Sequence, residues 1–151
     1  MNEIDTDDKV ELFKGDFAHK LSLALAPNIK AGFPSPADDY LHDSLDFNRD
    51  LIKNPEATFY GRVSGDSMIE AGICDSDIAV IDRSLIPIDG DIIVAFVNGE
   101  FTIKRLDLKH KEEGYIELKP ANPNYSPIRI DADDNFRVWG VVVWTIKQWR
   151  I

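Results

Sequence analysis

From Ala57 onward, apolar and polar residues fall into short runs with the two-residue period of strands. Thr58-Phe-Tyr-Gly-Arg-Val, Ile78-Ala-Val-Ile, Ile92-Ile-Val-Ala-Phe-Val and Phe101-Thr-Ile-Lys-Arg-Leu are rich in β-branched and aromatic types, and Tyr115-Ile-Glu-Leu and the stretch Phe136 to Ile146 follow. Gly, Asp, Asn and Pro separate them. Asn98-Gly99, between two of the runs, is a strong hairpin signal, because both central residues of such a turn need positive φ. Short strands without helices between them predict a mainly β fold, a curled sheet or partial barrel.

Upstream the pattern changes. Leu45, Asn48, Leu51 and Ile52 recur at three- and four-residue spacing, Asp43 or Ser44 is placed to cap, and Pro55 follows as a stop. This predicts one short amphipathic helix within residues 37–55. Residues 1–36 read as an extended N-terminal arm, acidic at first, with a weak helical tendency over 17–26. It closes on Ala31-Gly-Phe-Pro-Ser-Pro36, where two prolines favour an extended backbone. The expected organisation is thus an arm over 1–36 and a β domain over 37–151.

Charge narrows the functions open to such a chain. Its formal net charge is −10, with an isoelectric point near 4.6. Tight binding to a phosphate backbone needs clustered Lys and Arg, so direct nucleic-acid binding is not expected. Work near DNA would depend on another protein. Cys74, the sole cysteine, excludes an intrachain disulfide and a Cys-rich zinc site; it reads as a small apolar residue in a reducing compartment. No apolar run has membrane-spanning length, and the acidic Met1–Glu11 is unlike a signal peptide's basic start, so a cytoplasmic protein is expected. Nothing in the sequence calls for a metal or cofactor.

The candidate chemistry is nucleophilic. A serine needs a base, and the three histidines, His19, His42 and His110, lie in the arm, the helix region and a Lys-His-Lys-Glu-Glu loop. Around Ser67 the sequence is Gly65-Asp-Ser-Met-Ile69, which lacks the second glycine of a nucleophile elbow. Lysine can replace histidine where burial disfavours the ammonium, and Lys104 is the candidate. It sits in Phe101-Thr-Ile-Lys-Arg-Leu106, where alternation puts Thr102, Lys104 and Leu106 on one face. Taken alone, a strand lysine is ordinarily an exposed edge charge, and Ser67 a turn serine.

In combination, Ser64-Gly-Asp-Ser-Met68, Asp89-Gly-Asp-Ile-Ile-Val and Gly99-Glu-Phe-Thr-Ile-Lys-Arg-Leu106 resemble the LexA/UmuD family of self-cleaving Ser-Lys peptidases. The resemblance extends through Asp38-Asp-Tyr, Asp46-Phe-Asn, Gly72-Ile and Tyr125-Ser-Pro-Ile to Val138-Trp-Gly-Val-Val, roughly residues 31–147. It implies Ser67 as nucleophile and Lys104 as general base, at the family's spacing of 37 residues. It also implies self-cleavage at Ala31-Gly32, with the backbone N–H groups of Asp66 and Ser67 as oxyanion donors. The arm before Ala31 is several residues longer than in the best-known members. Thirty acidic-leaning residues are too few and too negative for the helix-turn-helix of the family's repressors, so a repressor is not expected. Bacterial signal peptidases resemble the same fold and dyad but need a membrane anchor, which this sequence does not show.

The resemblance further implies a homodimer, with Asn48 near the interface, and a RecA filament on single-stranded DNA as activator. After cleavage the product would be an accessory subunit for a UmuC-type translesion polymerase in the DNA-damage response. The Lys20–Ala26 stretch, with leucines at 21, 23 and 25, either packs on the domain's own apolar surface or touches a sliding clamp. The alternative in another class is a non-catalytic dimeric binding module that regulates a DNA polymerase.

Overall fold

Asn98 and Gly99 take φ values of 47° and 89°, closing the hairpin between the strands Ile92–Val97 and Glu100–Asp107. The two are paired antiparallel from Ile92↔Arg105 to Val97↔Glu100, the register that so short a turn sets. The computed structural model describes residues 9–15, 22–25, 31 and 43–151. In chain order its strands are β1 (Lys9–Lys14), β2 (Ser22–Leu25), β3 (Asp43–Asp46), β4 (Thr58–Ser64), β5 (Ile78–Asp82), β6 (Ile92–Val97), β7 (Glu100–Asp107), β8 (Tyr115–Lys119), β9 (Ile128–Asp131) and β10 (Phe136–Ile146).

Eight strands make one open antiparallel sheet in the order β1-β4-β5-β10-β6-β7-β8-β9. The expected mainly β, curled architecture is what the chain adopts. β10 is the pivot. It pairs with β6 through Phe136–Val141 and with β5 through Val141–Ile146, with a register shift on each side, between Val138 and Gly140 and between Val142 and Trp144. Such irregularities bend a strand and increase its twist. The curl they support brings edge strand β1 close to β7, although four strands, β4, β5, β10 and β6, lie between the two in the order.

Alternation sends side chains to two cores. Val63, Met68, Ile73, Ala79, Ile81, Val94 and Ile103 form one cluster; Ile93, Ala95, Val97, Leu106, Leu118, Ile130 and Val141 form the other. Adjacent residues of β6 belong to opposite clusters, Val94 to the first and Ile93 and Ala95 to the second, so its two faces are both dry. Gly140 marks a close approach: a Cβ there would lie 2.5 Å from Ile81 Cγ2, and Ile81 is fully buried. Gly140→Ala should therefore destabilise the fold by about 1–3 kcal/mol through overpacking, read as a lowered urea midpoint. An unchanged midpoint would contradict this packing.

Upstream, the structure corrects the sequence reading. The helix expected within 37–55 is a single turn, α1 (Phe47–Asp50), and residues 43–46 are strand, pairing with β2 from Ser22↔Asp46 to Leu25↔Asp43. The cap is Asp46, not Asp43 or Ser44: its Oδ1 accepts from the N–H groups of Asn48 (3.0 Å) and Arg49 (3.4 Å), and Asp50 Oδ2 accepts from the Asp46 N–H at 2.8 Å. Capping at 46 and the bar that Pro55 places on helical backbone at Asn54 leave little room between them. The weak helix suggested over 17–26 is β2 where it is described; residues 37–42 lie outside the described residues. β1 and β9 were also not foreseen. β1 follows from Val10 and Leu12, two residues apart, which pack against the first core cluster. β2, β3 and α1 belong to one compact unit and the remaining strands to a second. Among the described residues, no helix is long and apolar enough to cross a membrane.

Candidate active site

Ser67 sits on the connection between β4 and β5, just past the end of β4, where Val63 is buried. Gly65 turns the chain there with φ of 96°, a conformation that suits glycine, and its N–H donates to Asp75 Oδ1 at 2.9 Å. The Asp66 carbonyl accepts from the Ile69 N–H at 3.2 Å, and a single 3₁₀ turn, Ile69–Ala71, follows. Met68 and Ile73 anchor this connection in the first core cluster. Ser67 is thereby held with no exposed surface.

Lys104 projects from the middle of β7. Directly across from it on β6 is Ile93, and across from Thr102 is Ala95, both fully buried. With apolar neighbours on the adjacent strand, Lys104 is only 4% exposed. Its Nζ lies 3.0 Å from Ser67 Oγ, 2.8 Å from Thr102 Oγ1 and 3.1 Å from the Ile103 carbonyl oxygen. All three are uncharged oxygens. An amine and a hydroxyl at this separation are within proton-transfer reach.

The structure thus brings together the two residues that the sequence singled out, and rejects the edge-lysine reading of Lys104. Thr102 is an addition. Alternation put it on the face of Lys104, but its hydroxyl as a direct partner of the amine was not foreseen. The β8–β9 loop entered the sequence reading only through Tyr125-Ser-Pro-Ile, and its contacts with the serine turn were not foreseen: the Ala121 N–H donates to the Ser67 carbonyl at 2.7 Å, and the Tyr125 hydroxyl donates to Asp66 Oδ1 at 2.5 Å. No short-range pattern links residues so far apart in sequence.

Other candidates fall elsewhere. His110 pairs through Nδ1 with Glu113 at 2.9 Å and through Nε2 with Glu117 at 3.5 Å, and stacks on Tyr115. His19 and His42 lie outside the described residues. Asn48 is half-buried on α1. Ala31 is exposed, and Gly32 lies outside the described residues. Cys74 is a free, half-buried thiol. Among the described residues, no group of three or more His, Cys, Asp or Glu could hold a metal ion.

Comparison with known proteins decides the family. A family model described as peptidase S24-like matches residues 24–143. The chain belongs to the peptidase S24-like family. Protein SamA of Salmonella typhimurium strain LT2 is 43% identical over 120 residues, covering 80% of this chain and 81% of SamA. Protein MucA of Escherichia coli is 38% identical over 144 residues, 93% of this chain and 95% of MucA. A LexA repressor from Clostridium perfringens is 39% identical over 111 residues, 74% of this chain and 53% of the repressor. The chain is therefore a LexA/UmuD-type protein of an SOS-related serine peptidase family. The S24-like match spans both Ser67 and Lys104.

Proposed function

We propose that this protein is a self-cleaving serine endopeptidase of the DNA-damage response that cuts its own Ala31–Gly32 bond. One observation carries the reading: the Lys104 amine stands 3.0 Å from the Ser67 hydroxyl, with both groups buried. In its neutral form Lys104 takes the proton from Ser67 Oγ as that oxygen attacks the Ala31 carbonyl carbon. The oxyanion is held by the backbone N–H groups of Asp66 and Ser67. When the C–N bond breaks, the Lys104 ammonium returns the proton to the Gly32 nitrogen. Water then attacks the Ala31 ester, giving its proton through Lys104 to Ser67 Oγ, and the serine is regenerated. Thr102 and the Ile103 carbonyl aim the amine throughout.

A RecA filament on single-stranded DNA accelerates the cut in this reading. Residues 32–151 then serve a UmuC-type translesion polymerase as an accessory subunit in the cytoplasm. The likeness to SamA and MucA supports this side of the reading. The strongly acidic composition agrees with partners, rather than this chain, holding the DNA. On incubation with RecA, single-stranded DNA and a nucleotide cofactor for the filament, a fragment starting at Gly32 is expected. N-terminal sequencing checks it; any other first residue would refute the bond assignment.

Assembly as a homodimer, with Asn48 near its interface, belongs to the same proposal. α1, a single turn, is too short to supply an extended apolar face for it. Support comes instead from exposed apolar surface on the last strand and tail, where Trp144 and Trp149 are 47% and 87% accessible. Sedimentation at micromolar concentration should give twice the monomer mass, and a monomer would contradict dimerisation.

A further inference from the structure

We propose that Asn122 is a positioning residue for the oxyanion site, its side-chain amide fixing the direction in which the Ser67 N–H points. The inference rests on the self-cleavage reading above and adds a residue to it. Asn122 lies on the β8–β9 loop and is 9% exposed, 56 residues along the chain from its partner Asp66. Its Nδ2 donates to the Asp66 carbonyl oxygen at 3.0 Å, and its Oδ1 accepts from the Asn124 N–H at 3.0 Å. The second bond assigns the amide: an N–H can meet only the oxygen end, so the NH₂ end faces Asp66.

The peptide between Asp66 and Ser67 is planar and trans, so the Asp66 C=O and the Ser67 N–H point in opposite directions along one rigid unit. Whatever holds the carbonyl holds the N–H. The next peptide is held from the same loop, because the Ser67 carbonyl accepts from the Ala121 N–H at 2.7 Å. Ala121 is itself braced, its carbonyl accepting from the Glu70 N–H at 2.8 Å. The two peptide planes flanking the Ser67 Cα are therefore fastened to neighbouring residues of one loop.

The turn has a bond of its own, from the Ile69 N–H to the same Asp66 carbonyl, but it is longer, at 3.2 Å, and wholly local. It closes the turn without fixing how the closed turn sits on the sheet. Asn122 and Ala121 supply that reference, since their loop springs from β8, which is paired to the Lys104 strand β7. The loop therefore ties the oxyanion donor and the base to one frame. A donor that acts on a developing oxyanion must be placed to within a fraction of an ångström, and losing such placement costs about 10- to 100-fold in rate.

The test uses the full-length chain. Unaided self-cleavage is followed against pH, and Ser67 is separately labelled with a fluorophosphonate, whose phosphoryl oxygen occupies the oxyanion position. Asn122→Ala should lower both the limiting cleavage rate and the labelling rate about 10- to 100-fold. The pH midpoint should stay put, because no Lys104 contact is altered. Asn122→Asp keeps the acceptor for the Asn124 N–H, and so its loop, but sets an oxygen against the Asp66 carbonyl; it should be at least as slow. Should Asn122→Ala fail to fold, Asn122→Asp decides alone. Folded variants that cleave and label within twofold of the unaltered protein would overturn the role of Asn122 while leaving the dyad standing. An unaltered protein that neither cleaves nor labels at Ser67 would overturn the proposed function and this inference together.

Discussion

Protein carrying Lys104→Arg should stay full-length in alkaline buffer for as long as the unaltered chain needs to convert wholly into two fragments. The guanidinium keeps its proton throughout that range and cannot accept another from Ser67. Loss of a positioned base costs about 10²–10⁴-fold, enough to remove cleavage from a day-long assay. Because Arg is longer than Lys in a site that is only 4% exposed, Lys104→Met is the companion variant. It keeps the aliphatic stem and presents no charge to the neutral oxygens of Ser67, Thr102 and Ile103. Lys104→Met should therefore fold and remain uncut. Lys104→Ala should also be inactive and folded, since it removes a buried amine without leaving a charge behind. Cleavage by a folded Lys104→Arg protein would refute the dyad.

Unaided self-cleavage should quicken as the solution becomes alkaline and then level off. The base must be unprotonated to take the Ser67 proton, so a rising pH favours the step. The fold must survive the same titration, and here Lys147 matters. Its ammonium donates to the buried carboxylate of Asp77, chiefly through that hydrogen bond, and its pKa is raised above the ordinary lysine value of 10.5. A raised folded value contributes stability that is fully present below the ordinary lysine range and fades only as pH climbs through the raised value. The tie between Asp77, just before β5, and the tail after β10 is thus intact under moderately alkaline assay conditions. Lys147→Met should lower the melting temperature at neutral pH, and the gap from the unaltered protein should narrow in strong alkali. A self-cleavage rate that falls with rising pH, in protein shown to be folded, would point to a base other than a neutral amine.

The parts of this account that were legible in sequence share a physical cause. Alternation in Phe101–Leu106 and the positive-φ demand of Asn98-Gly99 are local, and they placed Thr102 and Lys104 on one face of a hairpin strand before any contact was known. The same locality misled upstream. Leu45, Asn48, Leu51 and Ile52 have helical spacing, but pairing of Asp43–Asp46 with Ser22–Leu25 took Leu45 into a strand and left α1 one turn. Lys9–Lys14 carried its own alternation at Val10 and Leu12, obscured by the charges around it. Asn122 had no signal at all. Its meaning lies in a bond to Asp66 that only the folded sheet brings within reach.

The most direct test of the central claim is intact mass spectrometry on purified unaltered and Ser67→Ala proteins, incubated side by side in alkaline buffer without any activator. The unaltered chain should resolve into residues 1–31 and 32–151, and Ser67→Ala should keep its full mass with an unchanged circular dichroism spectrum. Loss of the same residues from folded Ser67→Ala, at the rate of the unaltered protein, would show that Ser67 is not the nucleophile and contradict the account.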